Sequence, residues 1–222
     1  MKRALIFSFL VACLSSLAQA QGAKPAGPGS ATAGEKKAAM CIGCHGIEGY
    51  QASFPEVHKV PMISGQGAKF IASSLAAYKK GDRKHPTMRS IAASLTDQDM
   101  ADLAAFYEQH GGKRGEAPPD GAPAASPEVN ALLAKGACVS CHGANFSKPI
   151  DPSYPKIAGQ HADYLFVALK AYKTENNPNV GRNNAIMSAQ VKQFSNADLK
   201  AIAAYLASLP GELRTVKEAS FR

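Results

Sequence analysis

The fold is decided by Cys41-Ile-Gly-Cys44-His45 and by its second copy, Cys138-Val-Ser-Cys141-His142. A Cys-x-x-Cys pair alone is compatible with a disulfide, a redox dithiol or half of a zinc site. The histidine that follows directly in both copies favours another chemistry. Two thiols at this spacing can reach the two vinyl groups of one haem, and the next residue then lies under the iron. The sequence therefore predicts two covalently bound haem c groups, attached to Cys41, Cys44, Cys138 and Cys141, with His45 and His142 as proximal iron ligands.

Both motifs lie in an internal repeat. The first repeat runs from about Gly34 to Gly112 and the second from about Pro127 to Leu213. An offset of 97 residues superposes the two cysteine motifs, an offset of 94 superposes Pro61-Met-Ile-Ser-Gly-Gln66 on Pro155-Lys-Ile-Ala-Gly-Gln160, and an offset of 99 superposes the regions that follow. The offset changes only between these blocks, as loop insertions would change it. The pattern predicts two homologous domains.

The predicted domains are residues 21–112 and 127–222, joined by a linker over 113–126. The linker contains Pro118-Pro119, Gly121 and Pro123, which is typical of a polar connection without regular structure.

The N-terminus resembles a secretory signal peptide. Lys2 and Arg3 precede an apolar run over 4–17, and Ala18-Gln19-Ala20 is a small-x-small cleavage site. We expect cleavage after Ala20 and export to the periplasm. The alternative is a lipoprotein signal with Cys13 lipidated, although the apolar stretch before Cys13 is short for it.

The composition favours an all-α fold. Alanine is plentiful and Val, Ile and Thr are scarce, so a β-sandwich or barrel is not expected. The net charge is +8, from 25 Lys+Arg against 17 Asp+Glu. Basic clusters occur at Lys36-Lys37 and over 79–84. Such clusters are usually solvated faces, or else they meet an acidic docking surface or anionic lipid. A nucleic-acid partner is not expected, because no binding motif is recognisable.

Each repeat is predicted to contain three helical blocks. The first leads into the cysteine motif. In the second repeat, Ser126-Pro127-Glu128 is typical of the N-terminus of a helix, with Ser126 as the N-cap and Pro127 as the first helical residue. The second covers Ala68–Lys80 and Ala162–Lys173, with Gly81 as a stop in the first repeat. The third begins at capping sequences, which are Thr96-x-x-Asp99 and Ser195-x-x-Asp198.

The sixth iron ligand is expected to be methionine in both repeats. Met187 is the single methionine of the second repeat, and only Met88 in the first repeat has a methionine as its repeat partner. Both are expected in loops. Four histidines are the competing candidates, of which His85 stands nearest to Met88. None of them matches a histidine in the other repeat, so we expect surface or loop positions for His58, His85, His110 and His161.

The combination of motifs resembles the di-haem cytochrome c4 family over nearly the whole mature chain. The resemblance implies two tandem class I cytochrome c domains, each wrapped around one covalent haem. It implies that the backbone carbonyls of Pro61 and Pro155 accept hydrogen bonds from the Nδ1–H groups of the haem histidines, which would fix the rings. It also places near the haems Gln66, Gln160, Tyr78 and Tyr172.

The expected function is a periplasmic electron carrier without enzymatic activity. Two irons held by His and Met leave no open position for a substrate. By resemblance, a quinol-oxidising complex or a dehydrogenase would be the donor and a terminal oxidase or reductase the acceptor, with peripheral membrane association as a further option. Two alternatives remain open. One is an electron-transfer subunit of a larger flavocytochrome or alcohol dehydrogenase, and the other is a di-haem enzyme such as a peroxidase or thiosulfate dehydrogenase.

Overall fold

The computed structural model describes residues 26–110 and 120–217. The predicted signal peptide and residues 113–119 of the predicted linker lie outside this part of the chain. The described part is dominated by helices, as predicted. The helices of the first repeat are α1 (Ala31–Lys37), α2 (Ala39–His45), α3 (Ala68–Lys80), α4 (Pro86–Ala93) and α5 (Asp97–Gln109). Those of the second repeat are α6 (Pro127–Lys135), α7 (Cys138–His142), α8 (Ala162–Ala171), α9 (Ala185–Val191) and α10 (Asn196–Ser208).

The block that leads into each cysteine motif is divided into two helices. In the second repeat, Ala137 takes a left-handed conformation with φ of 46° and separates α6 from α7. In the first repeat, Ala38 remains helical, yet α1 ends there and α2 begins at the next residue. As a result, each cysteine motif lies on a short helix of its own.

The predicted helix boundaries are confirmed at most ends. Helix α3 has the predicted bounds and ends at Gly81, whose φ of 92° suits glycine. Capping boxes begin α5 at Thr96 and α10 at Ser195, with Asp as the third helical residue in each. Helix α8 ends two residues before the predicted Lys173.

The expectation that both candidate methionines lie in loops was wrong. Met88 lies in α4 and Met187 in α9, and each is the third residue of its helix. These helices are eight and seven residues long, too short for their apolar spacing to show in the sequence.

Each repeat has a core of its own. In the first repeat, α1, α3 and α5 surround buried residues that include Leu103, Phe106 and Tyr107. In the second, α6, α8 and α10 surround Phe146, Leu199 and Ile202, among others. Within the described residues, no helix is long and apolar enough to cross a membrane.

Two of the short strands join the repeats. Strands β1 (Gln51–Ala52) and β2 (His58–Lys59) pair within the first repeat, whereas β3 (Arg83–Lys84) pairs antiparallel with β4 (Gly181–Arg182) of the second. In that ladder Arg83 lies opposite Arg182, its equivalent at the 99-residue offset. An isolated bridge between Ser64 and Arg214 adds a second backbone link. The repeats therefore face each other with approximate two-fold symmetry.

Candidate haem sites and the interface between the repeats

The four motif cysteines lie on α2 and α7, two on each helix, and all are partly exposed. Burial raises the pKa of Cys41 and likewise that of Cys138. A redox dithiol needs the opposite, a thiolate with a lowered pKa. No cluster of three or more His, Cys, Asp or Glu side chains among residues 26–110 and 120–217 could hold a metal ion, so zinc lacks a complete site in this part of the chain.

The two motif histidines are held by proline carbonyls. His45 Nδ1 lies 2.8 Å from the Pro61 carbonyl oxygen, and His142 Nδ1 lies 3.1 Å from that of Pro155. A carbonyl can only accept, so Nδ1 carries the proton in both rings. Burial lowers the pKa of each histidine, which favours the neutral ring. Each imidazole is therefore left with Nε2 as an unprotonated nitrogen, the form that binds a metal.

The two candidate methionines occupy equivalent positions. His85 Nδ1 accepts the Met88 backbone N–H at 3.5 Å, and Asn184 Oδ1 accepts the Met187 backbone N–H at 2.9 Å. Both methionine side chains are half-buried. Because His85 caps α4, it has a local structural role at the place where it was considered as an iron ligand.

The expectation of a surface or loop position was wrong for His58. This residue lies in β2 and is only 4% exposed. Its Nδ1 bonds to the Glu56 carbonyl oxygen at 2.8 Å, and its ring lies against His85 and against Tyr164 of the other repeat.

A cluster of two arginines and several aromatic rings lies where the repeats meet. The Arg83 guanidinium lies 4.7 Å from the centre of the Tyr78 ring, and that of Arg182 lies 5.4 Å from the centre of its repeat equivalent, Tyr172. Arg83 Nε is buried without a hydrogen-bond partner. Of the ion pairs among the described residues, none includes either arginine. The cluster is therefore a half-buried positive site suited to an anion.

Sequence reasoning missed this cluster, although a signal was present. Arg83 and Arg182 match at the same 99-residue offset as the two methionines. The basic stretch over 79–84 was instead expected to be a solvated or docking face. Arg83 and Lys84 turn into the contact between the repeats, where Lys84 Nζ donates to the Asn177 carbonyl oxygen at 2.7 Å.

The two equivalent glutamines also lie at this interface, and both are 4% exposed. Gln160 Oε1 accepts the Met62 N–H at 3.0 Å, and its Nε2 donates to the Met62 carbonyl oxygen at 2.9 Å. Gln66 makes the same pair of bonds to Lys156, both at 2.9 Å. Each glutamine thus binds the backbone of the opposite repeat, which the resemblance did not imply.

Two helical domains, each with a Cys-x-x-Cys-His motif on a helix and a histidine held by a proline carbonyl, define a di-haem c-type cytochrome. A cytochrome c family model matches residues 31–110 and 128–210. The chain is 31% identical to cytochrome c4 of Azotobacter vinelandii over 94% of its length and all of that protein. It is also 30% identical to a thiosulfate dehydrogenase electron acceptor of Thiomonas intermedia, over 88% of this chain and 89% of that one.

The fold agrees with these relatives. The crystal structure of reduced cytochrome c4 from Pseudomonas stutzeri superposes with a TM-score of 0.59 at 27% identity, and covers 82% of this chain and all of that one. The chain belongs to the cytochrome c4 family of di-haem c-type cytochromes. It is accordingly an electron carrier with two covalently bound haem c groups, one in each domain.

Proposed function

We propose that the protein is a periplasmic carrier in which His45 and Met88 ligate one iron and His142 and Met187 the other. The proposal rests first on the orientation of the two histidines, whose Nδ1 atoms are engaged by proline carbonyls. The thiols of Cys41 and Cys44, and those of Cys138 and Cys141, would attach the two haems. Haem iron supplies a one-electron couple, and a methionine ligand favours a high potential.

The residues present fit this cofactor. In each repeat, two thiols lie on the same short helix as the motif histidine, α2 or α7, as attachment of one haem to both thiols and ligation by that histidine require. Arg83 and Arg182 would pair with the haem propionates, which would satisfy the buried Arg83 Nε.

With a methionine at the sixth coordination position of each iron, the protein would transfer electrons without binding a substrate at iron. The donor would be a quinol-oxidising complex or a dehydrogenase, and the acceptor a terminal oxidase or reductase. The likeness to a thiosulfate dehydrogenase electron acceptor favours a dehydrogenase as one donor class. It also supports the second candidate function, service as the electron-transfer partner of a larger dehydrogenase.

Intact-mass measurement after periplasmic expression with haem-maturation proteins tests the proposal. The expected mass is that of the chain without residues 1–20 plus two haems. Serine replacement of Cys41 and Cys44, or separately of Cys138 and Cys141, should remove one haem and leave the other. A chain with two disulfides and no haem would refute the assignment.

Activity assays test the carrier role directly. The loaded protein should accept electrons from a reduced c-type donor and pass them to an oxidant, with no turnover of peroxide or thiosulfate on its own. Turnover of either substrate by the purified protein would instead establish a di-haem enzyme.

A further inference from the structure

The hydrogen bonds of the two buried glutamines end on particular peptide groups. The Met62 N–H that binds Gln160 belongs to the same peptide group as the Pro61 carbonyl that binds His45. In the second repeat, the Lys156 N–H that binds Gln66 belongs to the same peptide group as the Pro155 carbonyl that binds His142. Each glutamine is therefore one peptide group away from the imidazole of the opposite repeat.

Hydrogen bonds at the two ends of one peptide group reinforce each other. When the N–H donates to an oxygen, the group polarises and its carbonyl oxygen becomes a better acceptor. The effect is larger where water is excluded, and both glutamines are 4% exposed. A stronger acceptor draws the Nδ1 proton away from the ring, makes Nε2 more electron-donating and favours the ferric state of a bound iron.

We propose that Gln160 tunes the potential of the haem in the first repeat and Gln66 that of the haem in the second. They are positioning residues that act through the Pro61–Met62 and Pro155–Lys156 peptide groups. The proposal rests on the assignment of His45 and His142 as iron ligands. Its distinctive consequence is that each glutamine lowers the potential of the haem bound by the other repeat. Closure of the interface therefore sets both potentials.

The amide oxygen of each glutamine has a second partner in its own chain segment. Gln160 Oε1 also accepts the His161 N–H at 3.0 Å, and Gln66 Oε1 accepts the Gly67 N–H at 3.0 Å. These local bonds help to hold each amide oxygen in the direction of the opposite peptide group.

The test is a redox titration of full-length Gln160→Met and Gln66→Met proteins. The NMR signals of the haem methyl groups in each domain report the reduced-to-oxidised ratio of each haem during the titration. Gln160→Met should increase the reduced-to-oxidised ratio of the first haem two- to threefold at fixed ambient potential. This corresponds to roughly 20–30 mV by the one-electron relation of about 59 mV per tenfold change. The second haem should shift less. Gln66→Met should give the reverse pattern.

Two further variants separate tuning from general loosening of the interface. Lys170→Met removes an ion pair with Glu56 across the same interface without touching either proline peptide group, and it should leave both potentials unchanged. Gln160→Glu keeps an acceptor oxygen for the Met62 N–H, so the first haem should titrate at or below the parent potential. The Nδ1–H signal of His45 in the reduced protein should move in Gln160→Met and stay in Lys170→Met.

The outcomes distinguish this inference from the proposed function. A shift confined to the mutated glutamine's own repeat, equal shifts at both haems, or no shift would overturn the crossed tuning while the two haems remain attached. Loss of a haem or of methionine ligation in the parent protein would instead overturn the ligand assignment on which the inference rests.

Discussion

Met187 is the single methionine of the second repeat, so its thioether would be the ligand at the sixth coordination position of the second iron. Met187→Ala should open the sixth position, allow carbon monoxide to bind the reduced second haem and lower its potential through loss of the sulfur ligand. Met88→Ala should do the same at the first haem. The parent protein should bind carbon monoxide poorly at neutral pH, because entry requires breaking an iron–sulfur bond. The measurement is the absorbance change on adding carbon monoxide.

Met40→Ala is a matched control, because Met40 directly precedes the first cysteine motif and is 56% exposed. It should leave carbon monoxide binding as weak as in the parent. Strong binding by the parent at either haem would contradict the methionine assignment. A sixth position that stays closed in Met88→Ala would assign the ligand to His85 or to another methionine of the first repeat.

In the first repeat, Lys37 pairs with two carboxylates in an arrangement that the second repeat lacks. Its ammonium group binds Asp99 at 2.7 Å and the buried Asp102 at 2.6 Å. The hydrogen bond from Lys37 lowers the pKa of Asp102, and with Thr96 it lowers that of Asp99 to about 2. The positions equivalent to Lys37 and Asp102 in the second repeat hold alanine, at Ala134 and Ala201.

Because these aspartate pKa values are lower in the folded protein, the pairs stabilise it fully above about pH 4 and lose this contribution as the pH falls towards about 2. Lys37→Met should therefore move acid unfolding of the first repeat to higher pH and leave the second unchanged. Amide NMR signals of each repeat during acid titration provide the measurement. Lys36→Met, which removes the adjacent surface charge, is the control. Equal shifts in Lys36→Met and Lys37→Met would refute a specific role for Lys37.

At the scale of helices, Gly34 allows α1 to cross α5 at close range. A Cβ atom there would lie 2.1 Å from the Asp102 carbonyl oxygen and 2.7 Å from Phe106 Cβ. Gly34→Ala should separate the two helices and lower the free energy of unfolding of the first domain by roughly 1–3 kcal/mol. Thermal or denaturant unfolding of the haem protein measures it.

Gly43→Ala is the matched control, since a Cβ on this other helical glycine would meet nothing within 4 Å. Its stability should remain near that of the parent or rise slightly, because alanine is the better helix former. Equal losses in the two variants would show that close approach at Gly34 does not limit the packing of α1 on α5.

The helices show which features could be predicted from sequence. Those with local signals were predicted well: Thr96 and Ser195 start α5 and α10, and Gly81 ends α3. The contacts of His45 with the Pro61 carbonyl and of His142 with the Pro155 carbonyl agree with what the family resemblance implied. Helices α4 and α9 were missed, since their caps are His85 and Asn184 and their apolar faces are too short to show a period.

The contacts between the repeats could not be predicted, for a physical reason. The repeat alignment indicates which residues are equivalent, but it does not indicate which surfaces meet. Gln66 and Gln160 bind residues about a hundred positions away in the chain, and Arg83 pairs with its own equivalent across β3 and β4. Such reciprocal contacts depend on the docking of two finished domains.

At the scale of the whole molecule, the interface combines exposed and buried contacts. The ion pair of Lys69 with Asp151 is exposed, with side chains 61% and 45% accessible. Lys156 and Glu212, both of the second repeat, form a pair whose side chains are only 17% and 12% accessible, and Lys156 Nζ links this pair to the first repeat by donating to the Gly65 carbonyl oxygen. Exposed pairs contribute little and are screened by salt, whereas buried pairs and amide–backbone bonds are much less sensitive to it.

The two domains should therefore stay together at high salt. Between about 0.01 M and about 1 M, the Debye length falls from about 30 Å to about 3 Å, which removes most of the attraction between exposed charges. The radius of gyration from small-angle X-ray scattering should nevertheless be constant over this range.

Glu212→Gln leaves the charge of Lys156 without its partner and should lower the free energy of unfolding by roughly 1–3 kcal/mol. Glu56→Gln breaks only the more exposed pair with Lys170 and should cost about 0–1 kcal/mol. Expansion of the parent protein with salt would show that surface charge holds the domains together. Equal losses in the two variants would show that the buried Lys156–Glu212 pair, which links to the first repeat through Gly65, stabilises the protein no more than the exposed pair does.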